Sequence, residues 1–107
     1  MTTQLRAGRS NLAEAELLPT LCPSSLTSVV TVNPSLQEVQ LSLPSTATVA
    51  VVVTVQDQQT SPIPAMSVSV NPGDVLSFIF NERTMPGGIA VIASVASAVS
   101  TYIRWKQ

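Results

Sequence analysis

Few side chains in this 107-residue chain could carry chemistry, and their types narrow what that chemistry would be. There is no histidine, which removes the commonest general base and metal ligand, and with it the Ser-His, Cys-His and His-metal constellations. A Ser-Lys dyad would have to use Lys106, the single lysine, at a position where a side chain is rarely well held. The six carboxylates are spread as Glu14, Glu16, Glu38, Asp57, Asp74 and Glu82, and nothing in that spacing argues for a glycoside-hydrolysing pair. Asp57, Asp74 and Glu82 fall in predicted loops and could share a Ca²⁺, although EF-hand spacing is lacking. Gly87-Gly88 reads as a hinge or turn, not a phosphate loop. Cys22 is the only cysteine, so no intramolecular disulfide is possible, and beside Pro23 it reads as a small buried hydrophobe. The expectation is a chain that is not an enzyme and uses no cofactor or metal.

Composition points the same way. Hydrophobic residues make up 45% of the chain and charged residues only 10%, against about a quarter in ordinary soluble domains. A surface so short of charge is explained either by burial against other subunits or by a Ser/Thr-covered small β-domain. Five bases against six acids leave a net charge of −1, and Arg6, Arg9, Arg104 and Lys106 are too few for the basic stripe that phosphate binding needs. Nucleic acid is therefore not an expected partner. Glu14 and Glu16 follow Arg6 and Arg9 where a secretory signal would have its apolar core, so secretion by a signal peptide is not expected. The length suits one domain with one core.

The element that must organise that core is the densest β-branched run, residues 47–56. Read with a period of two, it places Val49, Val51, Val53 and Val55 on one face and Thr48, Ala50, Val52, Thr54 and Gln56 on the other. Stiff χ1 rotamers make such a run a good central strand and a poor helix. Before it, residues 26–32 are β-rich, and residues 36–43 alternate with Val39, Leu41 and Leu43 on one face. After it, the polar loop 57–62 is the expected exposed tip, and Met66, Val68 and Val70 alternate against Ser67 and Ser69. Asn71-Pro72-Gly73-Asp74 predicts a type II turn, with Pro72 presetting φ and Gly73 taking the positive value. That turn does not match the twist of a tight hairpin, which predicts a crossing from one sheet to another. Leu76, Phe78 and Phe80 then share a face expected to be core.

The two ends are less uniform. Residues 1–25 predict an arm: Asn11 can cap a short helix with Glu14 as its capping-box partner, and Pro19 ends it. Leu5, Leu12, Leu17, Leu18 and Leu21 are the candidate partner-binding residues of this arm, docked on its own domain or reaching a neighbour. Residues 89–107 carry both helical spacing and strand alternation, and the alternation of Ile89, Val91, Ala93, Val95 and of Thr101, Ile103, Trp105 favours two strands hinged near Ala96–Ala98. The uncharged run Ile89–Ile103 also raises a membrane helix, but falls short of the ~20 residues required. The fold expected is all-β, a β-sandwich of jelly-roll or immunoglobulin-like topology with about 6–8 short strands over residues 26–107, preceded by the arm 1–25.

In general character the chain resembles small virion proteins of tailed bacteriophages, in particular capsid decoration (cement) proteins. The features that carry the resemblance are the signal-less arm 1–25, the Ser/Thr/Val-rich β-domain from Leu26 on, and the turn from Val70 through Asn71-Pro72-Gly73-Asp74 to Val75. It implies a non-catalytic component of a virion assembled in a host cytoplasm, self-associating as a trimer or dimer and binding a shell, capsid or tail protein through the arm. Two other readings are a carbohydrate-binding β-module, for which only Tyr102 and Trp105 would serve as aromatic platforms, and a small membrane-anchored subunit using Ile89–Ile103.

Overall fold

The computed structural model describes residues 14–31, 33–59, 63–95 and 98–107, and these form eight strands. They are β1 (Glu14–Leu21), β2 (Thr27–Val30), β3 (Ser35–Ser42), β4 (Val51–Asp57), β5 (Ile63–Val70), β6 (Val75–Thr84), β7 (Ile89–Ala93) and β8 (Ser100–Lys106). Two four-stranded sheets result, ordered β1-β8-β3-β6 and β2-β7-β4-β5, called sheet A and sheet B below. All pairings are antiparallel, and four of them nest: β4 with β5, β3 with β6, β2 with β7, and β1 with β8. The chain is thus one long hairpin, rolled up so that β3 meets β8 and β4 meets β7. That is the jelly-roll form of the sandwich.

The valine run is its centre, as expected. Val51, Val53 and Val55 are fully buried on β4, whose other face carries exposed Val52. Val49 leaves the stripe: it lies in the loop before β4 and is exposed, because strand pairing begins only at Val51. Facing β4 across the core are Leu36, Val39 and Leu41 of β3 and Ile103 and Trp105 of β8. The two-fold alternation of residues 89–107 is realised as β7 (Ile89–Ala93) and β8 (Ser100–Lys106), and among the described residues no helix is long and apolar enough to cross a membrane. In the turn before β6, Gly73 takes φ 89° and the Asp74 N–H donates to the Asn71 carbonyl at 2.9 Å; the chain does cross there, from sheet B to sheet A.

The helical turn expected before Pro19 is corrected over its described part: Glu14–Leu21 is a strand at the edge of sheet A, paired with β8. A helix of so few residues is marginal alone, and a full ladder to β8 outweighs it. Pro19 is tolerated because an edge strand leaves one side unpaired, and the register slips between Leu17 and Thr20 to accommodate it. Asn11, Leu5 and Leu12 lie outside the described residues.

Candidate assembly site

The side chains with chemical potential are not brought together. Asp57, expected in an exposed loop, is the buried last residue of β4, where Oδ1 accepts the Gly87 N–H at 2.7 Å and Oδ2 accepts Gln59 Nε2 at 2.6 Å. Asp74 sits at the opposite end of the sandwich, with Oδ2 accepting the Asn71 N–H at 2.8 Å. Glu82 faces Lys106 at 3.6 Å on sheet A. No shared Ca²⁺ position follows, and among the described residues no group of three His, Cys, Asp or Glu is placed to hold a metal.

What the charges do instead is order the outer face of sheet A. Glu16, Arg104, Glu38 and Ile79 lie in one row across β1, β8, β3 and β6. Arg104 Nη2 donates to Glu38 Oε1 at 3.1 Å, Gln40 Nε2 donates to Glu38 Oε2 at 2.7 Å, and Tyr102 Oη donates to Glu16 Oε2 at 2.6 Å. The amide of Gln40 and then the guanidinium of Arg104 hold the Glu38 carboxyl below its ordinary range, while the bond to Glu16 raises the Tyr102 phenol. A carboxylate held ionised is the opposite of what a general acid at neutral pH requires. The aromatic pair is split: Trp105 is buried in the core and Tyr102 stands on the outer face, its hydroxyl already engaged. The open pocket at Tyr102, lined also by Pro19, Gln40, Ser42, Val75 and Ser100, is a shallow ≈ 110 Å³. A two-ring glycan platform is not formed.

The strand edges are unequal, and this is the feature with functional content. An unpaired edge offers free N–H and C=O groups to any other strand, and proteins normally guard it with proline, bulges, short strands or charge. On one flank, β1 carries Pro19 and a register slip, and β2 has only four residues and its own slip between Ser28 and Val30. The other flank is β5 and β6, the latter the longest strand at ten residues. Here the segments Ala65–Val70 and Val75–Phe80 contain no charge and no proline. Guards sit only on the far part of each strand: Pro64 and a register slip beside Ala65 on β5, and on β6 a bulge where Leu36 opposes Arg83, Glu38 opposes Ile79 and Glu82 adopts φ 52°.

Apolar side chains crowd this unguarded flank. Val75 and Ile79 are 80% and 73% exposed on the outer face of β6. On its inner face Leu76, Phe78 and Phe80, expected as core, pack against the core but stay half-buried, as do Ala65, Met66 and Val68 on β5. The seam between the sheets is open on this side because each sheet ends there. Of the expected arm residues, Leu17 is half-buried against the core, while Leu18 and Leu21 are 64% and 62% exposed. The arm leucines therefore do not share one face. Val75 and Ile79 were legible in principle: placing Leu76, Phe78 and Phe80 inward leaves two large apolar residues on the solvent side of the same strand.

No protein-family model matches the chain, and no curated protein matches it. A solved structure described by the words "Bacillus endospore appendages form a novel family of disulfide-linked pili" is similar in fold, with a TM-score of 0.56 at 12% sequence identity, over 99% of this chain and 95% of that one. At that identity the likeness is one of fold alone. In the present chain the single thiol, Cys22, is buried, and burial pushes its pKa up.

Proposed function

We propose that this chain is a structural, non-catalytic subunit that self-associates into a larger protein assembly through the β5/β6 flank of its sandwich. The observation that carries the reading is the contrast between flanks: β1 and β2 are guarded along their length, while Met66–Val70 of β5 and Val75–Phe80 of β6 present edges free of charge and proline beside an open apolar seam. Strand addition at such an edge supplies main-chain hydrogen bonds and covers the half-buried Phe78 and Phe80 at the same time. Assembly also accounts for a chain that is only 10% charged. The single buried thiol gives this assembly no cross-link to depend on, so it is held by pairing and apolar contact.

In the finer form that the phage resemblance implies, the assembly is a virion and the chain decorates its capsid as a trimer or dimer, with the arm making the contact to a shell protein and the free strands joining copies of the chain. A repeating fibre of copies of this chain uses the same flank, and the solved structure similar in fold is of appendages that form pili. The common claim is tested on the flank itself. Replacing Ile79 on β6 and Ser67 on β5, both exposed, by lysine puts a charge on each free strand without touching the core. Light scattering is expected to show the large species falling to monomer or dimer, with the thermal midpoint within about 2–4 °C of the parent. Unchanged assembly in a folded double variant would refute the proposal.

A further inference from the structure

We infer that the loop end of the sandwich is a second self-association surface, on which two copies pack end to end with the same face. This goes beyond the flank contact and does not depend on it. The registers Leu21 to Ser100, Ser42 to Ser100, Ser42 to Val75 and Val51 to Val70 bring the connections after β1, β3, β5 and β7 to one end of the molecule. At this end Leu21, Leu26, Val49, Val75 and Val95 are all exposed, five of the large apolar residues left in solvent. The same end holds a groove of ≈ 300 Å³ lined by Leu43, Pro44, Ala47, Val49, Val51 and Ala98, among others.

Charge selects the occupant. Among the described residues the loop end carries one charged group, Asp74, whose carboxylate already accepts the Asn71 N–H. The opposite end holds Glu82, Arg83, Lys106 and the buried Asp57. Stacking loop end on opposite end would set apolar side chains against charges, whereas loop end on loop end sets apolar on apolar with almost no like-charge repulsion. A two-fold contact of this kind is self-complementary: exposed side chains of each copy enter the groove of the other. A lipid surface fits less well, because this end has no lysine, arginine or tryptophan among the described residues to hold headgroups. The size sets a weak contact. The extents are 50 × 30 × 18 Å, and the ten residues of β6 need about 34 Å, so strands run along the long axis and the end face spans 30 by 18 Å. Full coverage of that face gives a ceiling of about 500 Å² per copy and about 1,000 Å² in all, the small end of specific interfaces and in keeping with micromolar affinity.

The test uses the full chain. In the Ile79→Lys, Ser67→Lys background, whose flank is blocked, sedimentation at up to about 100 μM is expected to show a species of two chains with a dissociation constant in the micromolar range. Adding Leu26→Glu and Val95→Glu, both in exposed loops, is expected to raise that constant at least 100-fold with the circular dichroism spectrum unchanged. A monomer already in the background variant, or a dimer that survives the two glutamates, would overturn the inference. So would a monomer that pellets with phosphatidylcholine vesicles and loses that binding in the glutamate variant, which would assign the end to lipid. Dimers of the unsubstituted chain that the glutamates abolish and the lysines leave intact would instead sink the flank proposal and leave this one standing.

Discussion

Val53→Asp is expected to abolish folding, whereas Val52→Asp, one residue away, should leave the protein intact. Val53 is fully buried at the centre of sheet B, in one row with Val68 of β5 and Ala93 of β7. The core cluster around it contains no lysine, arginine or histidine to pair with a carboxylate. An unpaired buried charge with a cavity around it costs about 4 kcal/mol or more, a large part of the roughly 5–15 kcal/mol that holds a domain together. Val52 points to solvent from the same strand, where a charge costs within about 0.5 kcal/mol. Urea unfolding of the pair measures the difference. Equal stability for the two variants would mean that the valine stripe does not face the core.

Gly88→Ala is the second large effect, with an expected loss of about 3 kcal/mol or more. Gly88 stands at φ 92°, outside what a residue with a Cβ adopts without strain. A methyl group there would also run into the Val30 carbonyl oxygen and the Thr31 Cα, which are backbone atoms and cannot rotate away. Relief would require β2 to move off β7 next to the Val30–Ile89 pairing, in the shortest strand of the fold. Lowered denaturation midpoints for Gly88→Ala, with Gly73→Ala milder because it shares the positive-φ strain at 89° but its Cβ would meet only Ser45 at ordinary contact distance, are the expected pattern. A Gly88→Ala protein as stable as the parent would contradict the turn between β6 and β7 described here.

These two positions also show what the sequence makes legible. Strict alternation around Val53, Val39 and Ile103 marks inward faces whatever the topology, because a period of two is a local property of a strand. The Pro72-Gly73 pair is equally local, and its mismatch with hairpin twist is what foretells the change of sheet. Residues 14–21 were misread because local helix propensity is weak, and the β8 ladder that decides the matter is supplied from 86 residues away, as the Tyr102–Glu16 bond illustrates. Asp57 was misread for the same reason: its buried place depends on the Gly87 N–H, a partner thirty residues later. The candidate assembly site depends on which strands end a sheet, and edge position is a property of topology alone. Val75 and Ile79 are visible as outward apolar residues in the sequence; that no described strand lies beyond β6 in its sheet is not.

The most direct test of the central claim, that copies meet through the β5/β6 flank, is amide hydrogen exchange of the unsubstituted chain at two concentrations, one below and one above the onset of assembly. The expected result is that amides of Ala65–Val70 and Val75–Phe80 become more protected in the assembled sample, while β3, β8, β4 and β7, already paired on both sides, do not change. Protection that rises on β1 and β2 instead, with β5 and β6 unchanged, would contradict the account.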